Sequence, residues 1–163
     1  MNTNVIHALV SPEPHIQKLY EDCIQAPTYN LFSNTESAGV TNEHIALEDP
    51  HNQIHLAVGG FDLDGFQSGL IKGANGDMGE NETAGFDPIF FFHHCNVDRV
   101  FWIWQQKHNA TTELTITDDP NDPGATPSAG QGPTPGQTDD EKLTLDTQLY
   151  PYKDSSGNYY TGR

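Results

Sequence analysis

The segment Ile89–His108 (IFFFHHCNVDRVFWIWQQKH) constrains the fold more than any other part of this 163-residue chain. Asp87-Pro88 precedes it, a capping carboxylate followed by a proline whose fixed φ suits a first helical turn. From there Phe90, His94, Val97, Phe101 and Trp104 follow helical spacing, and Ile89, Val100 and Ile103 widen the stripe. A helix apolar over most of its circumference has to be central to a core. The cap-then-proline signal occurs twice more. Ser11-Pro12 starts a helix with Ile16, Leu19, Tyr20, Cys23 and Ile24 on one face, and Asp49-Pro50 starts a short one that Gly59-Gly60 stops. Little else reads as regular structure. The predicted class is mainly α with long irregular loops, and the length suits one domain, not two.

Residues 118–140 (DDPNDPGATPSAGQGPTPGQTDD) hold five of the eleven prolines and no aromatic residue. Such a segment cannot bury enough apolar surface to offset its ordering entropy, so it reads as an acidic loop. Within residues 141–163, Leu143–Tyr152 (LTLDTQLYPY) turns apolar again and is expected to be extended and to pack back on the core. Charge then narrows the partners. Seven Lys and Arg against 23 Asp and Glu give a formal net charge of -16, which repels nucleic acid and anionic membrane surfaces. No apolar run approaches the roughly 20 residues that span a bilayer. Met1–Val10 lacks the basic start and apolar stretch of a signal peptide, and the compartment stays open. Two cysteines, Cys23 and Cys95, make no disulfide framework. Eight histidines outnumber the seven Lys and Arg, and that excess points to metal.

His51-Asn-Gln-Ile-His55 places two imidazoles at i and i+4, on one helical face and at ligand spacing. The pair alone is weak evidence, and Asn52 stands where a zinc protease needs its glutamate base. His93-His94 lies inside the most apolar helix. An imidazole buried there without a partner costs about 1–3 kcal/mol, so it is either hydrogen-bonded or ligating. The stripe selects His94 as the inward residue, with His93 about 100° round the helix. His51, His55 and His94 then form a nitrogen site suited to copper, zinc, iron or nickel, with copper(II) binding most tightly of the divalent ions. Asp98, one turn past His94, either orients a ligand or pairs with Arg99 at the surface.

HNQIHLAVGG, followed by GDMGENETAGFDPIFFFHHCNVDRVFWIWQ, resembles the copper-B half of the tyrosinase and catechol-oxidase (polyphenol oxidase) family. The match runs over roughly residues 16–117 and, more loosely, LTLDTQLYPY. The resemblance implies that residues 1–117 are half of that family's di-copper four-helix-bundle domain, followed by the 118–140 loop and the 141–163 extended segment. It implies a type-3 copper oxidoreductase that oxidises phenols and o-diphenols to o-quinones with dioxygen. By motif, the copper-B ligands are His51, His55 and His94, the second of the adjacent pair; His93 and Asp98 stand as candidate residues behind them. Members that hydroxylate monophenols carry an Asn after the first ligand and a nearby Glu, which together hold a water that deprotonates the phenol. Asn52 and Glu48 match those positions, and the pair would act as a general base relayed through water. Glu48 equally suits a helix-start carboxylate on the positive end of the helix dipole. Leu56, after the second ligand, would line the substrate entrance. Where plant relatives place a shielding Phe, GDMGEN puts Asn81, which implies a more open entrance. Asn81-Glu-Thr and Asn109-Ala-Thr also match glycosylation sequons.

The family's second copper site has no counterpart here: His7, His15, His44 and His108 lie in no copper-A motif. Residues 1–40 resemble the connection between the two halves, and Tyr159-Tyr160 does not match the tyrosine-containing motif that closes the family core. Two-electron reduction of dioxygen draws one electron from each of two copper(I) ions. Half a bundle also exposes the face that should meet the other half. Three expectations follow. The chain is part of a phenol oxidase completed by a second copy or by a copper-A-bearing partner chain; or it is a copper-binding module without oxidase activity; or it is an inactive truncated fragment.

Overall fold

The computed structural model describes residues 16–33, 35–41, 43–59, 76–116 and 142–163. The Ser11-Pro12 helix start, the Gly60 stop and the 118–140 loop lie outside the described residues. The order of elements is α1 (Ile16–Cys23), α2 (Tyr29–Ser33), α3 (Thr35–Thr41), α4 (Glu48–Gly59), 3-10 turns at Asp77–Gly79 and Ala84–Phe86, α5 (Ile89–Lys107), β1 (Glu113–Thr115) and β2 (Lys142–Thr144). The class is mainly α, as expected.

Helix α5 supplies Val100 and Trp104 to the main core, but it is less central than its apolar sequence predicts, since Phe91, Phe92 and Trp102 on it are exposed. Its first turn is capped by Asp87, whose Oδ1 accepts from the Ile89 backbone N–H at 3.0 Å. The buried positions along it are His93, Val100 and Trp104. That line is rotated from the expected Phe90–His94–Val97–Phe101–Trp104 stripe, because in a helix this apolar many faces satisfy a helical period and the neighbours decide. Trp104 is the anchor. Phe32 of α2 and His108 each stack on it at 4.9 Å, and its Nε1 donates to the Ala26 carbonyl at 2.8 Å. Cys23, Ala26, Phe32, Leu47, Val100 and Trp104 form the main buried cluster. Burial pushes the Cys23 thiol up to about 12, so it packs as a small apolar group.

Helices α2 and α3 correct the expectation that little else is regular. At five and seven residues they are too short to show a period, and tertiary contacts hold them. Glu48 Oε2 accepts from both Thr35 N–H and Thr35 Oγ1, at 2.9 and 3.0 Å, and so caps the start of α3. Helix α4 is tied in turn to α2 where Leu47 N–H donates to the Phe32 carbonyl at 2.7 Å, and its own start is held locally by Asp49 Oδ2, which accepts from Ala46 N–H at 3.1 Å. Phe32 therefore links the start of α4 to Trp104 of α5. A second cluster, Ile16 with Ala57 and the flanking Tyr20, Ile54 and Leu56, joins α1 to α4. In the C-terminal segment, β2 pairs antiparallel with β1 through Leu114 opposite Leu143. Lys142 and Glu113 form an ion pair across that ribbon at 2.6 Å. Beyond it Leu149, Tyr150 and Tyr152 are exposed.

Candidate metal centre

Helices α4 and α5 bring four imidazoles together. His51 and His55 project from one face of α4 with ring centroids 4.6 Å apart. His93 and His94 meet them from α5, and one ring nitrogen from each of the four lies within 4.8 Å of the others. Among the described residues no other group of His, Cys, Asp and Glu is so arranged.

Hydrogen bonds fix the tautomers of three of these rings. His55 Nδ1 lies 2.8 Å from the Met78 carbonyl oxygen, and His94 Nδ1 lies 2.7 Å from the Phe90 carbonyl oxygen. A carbonyl can only accept, so both Nδ1 atoms carry the proton and both Nε2 atoms present lone pairs. His51 Nδ1 donates likewise to Asn52 Oδ1 at 2.8 Å. His51 Nε2 and His94 Nε2 then face each other at 3.2 Å. Two neutral lone pairs at that distance repel unless a cation or a proton lies against both. His51 resists holding that proton, since burial is the main influence on its pKa and lowers it, with Asn52 only partly opposing. The donor set therefore fits a metal that takes imidazole nitrogen, with each ring oriented from its far side.

His93 differs. It is only 5% exposed, yet among the described residues neither ring nitrogen has a hydrogen-bond partner. Its ring stacks on His51 at 5.0 Å with 22° between planes. Burial, with repulsion from His51, His55 and His94, pushes its pKa down to about 4. The sequence stripe set His93 off the core face, whereas the structure buries it more deeply than His94. The 100° step between adjacent helical residues straddles the groove, so both rings reach the cluster.

The remaining sequence candidates fall in different places. Asn52 is exposed but bonded to His51, and Glu48 is exposed and engaged by Thr35. Leu56 packs with the Ile16–Ala57 cluster. Asn81 and Asp98 are exposed, and neither belongs to the four-imidazole group. Two positions that orient these rings leave little sequence signal, the Met78 and Phe90 carbonyls, because a backbone acceptor has no residue signature. The glycine-flanked turn Gly76-Asp-Met-Gly79 was the one legible hint of the first.

The family model described as the common central domain of tyrosinase matches residues 2–107. Among curated proteins, tyrosinase HcTyr2 of Hahella sp. is 51% identical over 154 residues, covering 90% of this chain and 28% of that protein. A tyrosinase of Aspergillus oryzae is 43% identical over 153 residues, covering 82% and 28%. Among solved structures, a tyrosinase from Burkholderia thailandensis superposes with a TM-score of 0.65 at 53% identity, covering 90% of this chain and 28% of that one. The chain thus spans about 28% of the length of the relatives it matches.

Proposed function

The chain belongs to the tyrosinase family, and from that premise we propose that it carries the copper-B half of a phenol-oxidising type-3 copper centre. His51, His55 and His94 would hold one copper, and the hydrogen bonds at their Nδ1 atoms leave Nε2 free for it. Copper, if bound there, would supply redox chemistry toward dioxygen, and the second copper of such a centre would have to be held by another chain or copy. The substrates are phenols or o-diphenols, released as o-quinones. The observation that carries this reading is the 3.2 Å approach of His51 Nε2 to His94 Nε2, both on rings whose Nδ1 atoms are engaged elsewhere.

The chain's own residues perform the orienting. Asn52 holds His51 in the Nδ1–H tautomer, the Phe90 carbonyl does the same for His94, and the Met78 carbonyl for His55. Their neutrality keeps the nitrogens available, because a protonated imidazole cannot ligate. Glu48 and Asn52 are the proposed water-relayed base for monophenols, and in that role Glu48 has to leave Thr35. The exposed aromatics Phe86, Phe91, Phe92 and Trp102 support a need for a covering partner. Large aromatic side chains are costly to leave in water.

Copper titration, subunit mass and catechol oxidation on one preparation test the reading. The expected result is copper bound by the wild type and lost in His94→Ala, with catechol oxidation once the second site is supplied. One copper per chain with no turnover in any assembly would instead make it a copper-binding module. Undiminished binding in His94→Ala would refute the ligand set.

A further inference from the structure

His55 and Gly59 are one helical turn apart on α4 and share a face. The backbone of the Asp77–Gly79 turn lies directly against that face. A Cβ built on Gly59 would stand 2.4 Å from Gly79 N, 2.5 Å from Gly79 Cα and 3.2 Å from the Met78 carbonyl carbon. All three are backbone atoms, so no side-chain rotation makes room. Gly59 is helical, and alanine is intrinsically the better helix former, which leaves the conflict purely steric. The contact is also bonded. Gly76 N–H donates to the Gly59 carbonyl at 2.8 Å, and Gly79 N–H donates to the Gly76 carbonyl at 2.9 Å, closing the turn on the helix end. The Met78 side chain, 1% exposed, anchors the same turn in the interior. Between these two holds sits the Met78 carbonyl, which accepts from His55 Nδ1 at 2.8 Å.

We propose that Gly59 is a positioning residue of the metal centre: its bare backbone contact with Gly79 sets the Met78 carbonyl that orients His55. The proposal rests on the reading of His55 as a ligand. An ordinary Cβ contact begins at 3.4 Å, so relieving 2.4 Å displaces the turn by about 1 Å. A 2.8 Å bond lengthened by that amount passes the limit of about 3.5 Å beyond which it no longer holds the ring. His55 then loses both its fixed tautomer and its aim, although no ligand has been changed.

Gly59→Ala is expected to bind Cu(II) about 10–100-fold more weakly, the usual effect of losing a ligand's outer hydrogen bond. In long-range 1H–15N spectra of the copper-free chain, its His55 is expected to exchange between tautomers, where the wild type shows Nδ1–H alone. Gly76→Ala, whose Cβ would lie 3.3 Å from the Gly59 carbonyl oxygen, should shift both readouts less and in the same direction. Gly85→Ala, with nothing within 4 Å, should shift neither. Circular dichroism establishes that each variant is folded, and Gly76→Ala decides the matter if Gly59→Ala is not. A wild-type His55 tautomer and copper affinity in the folded variants would overturn the positioning role and leave the ligand reading untouched. Wild-type copper affinity in His55→Ala would remove the ligand reading itself.

Discussion

Replacing His93 by Leu should make the copper-free chain markedly less sensitive to mild acid. The wild-type imidazole is nearly fully buried, has no hydrogen-bond partner among the described residues, and has its pKa pushed down to about 4 in the folded state by that burial and by the neighbouring imidazoles. An unfolded histidine titrates near 6.5. Between those values the unfolded chain binds the extra proton, so stability rises with pH through the window and falls as pH drops from about 6.5 toward 4. Linkage over that interval gives a loss of about 2 kcal/mol from this one group between pH 7 and pH 4.5. That is a large share of the roughly 5–15 kcal/mol stability of a typical domain. His51 is lowered too and adds in the same direction, so the wild-type loss should exceed the His93 share. Urea unfolding with a copper chelator present, at pH 7 and pH 4.5, measures both chains. The wild type should lose about 2 kcal/mol more than His93→Leu across that interval. Equal losses would show that His93 is not held neutral by burial, and the account of the site's electrostatics would fall with it.

Trp104→Ala removes the stack with Phe32 and His108 and orphans the Ala26 carbonyl. It should cost about 3–5 kcal/mol in urea unfolding, and a loss under about 1 kcal/mol would contradict its place as the anchor of the core. Glu48→Gln keeps an oxygen able to accept from Thr35 and should hold stability within about 0.5 kcal/mol, whereas Glu48→Ala should lose about 1 kcal/mol. If Glu48 is also the base for monophenols, both variants lower monophenol turnover in the completed enzyme. If it is a cap alone, Glu48→Gln turns over like the wild type.

What the sequence revealed and what it concealed separate along a physical line. The three long helical segments were legible because apolar spacing and cap-proline pairs are local signals. Helices α2 and α3 were not, because Phe32 finds its partner 72 positions away in Trp104, and Thr35 finds its cap in Glu48. The site shows the same division. His51 and His55 announced themselves by spacing on one helix, but the depth of His93 depends on how α4 lies across α5, and no periodicity contains that angle. The orienting carbonyls of Met78 and Phe90 are less visible still, since any residue could supply them. What distinguishes those positions is the neighbourhood that lets the backbone approach: at Met78, two glycines in contact from different elements. A reading confined to side chains therefore finds the ligands of such a site and misses what aims them, and glycines at tight inter-element contacts are where the missing half should be sought.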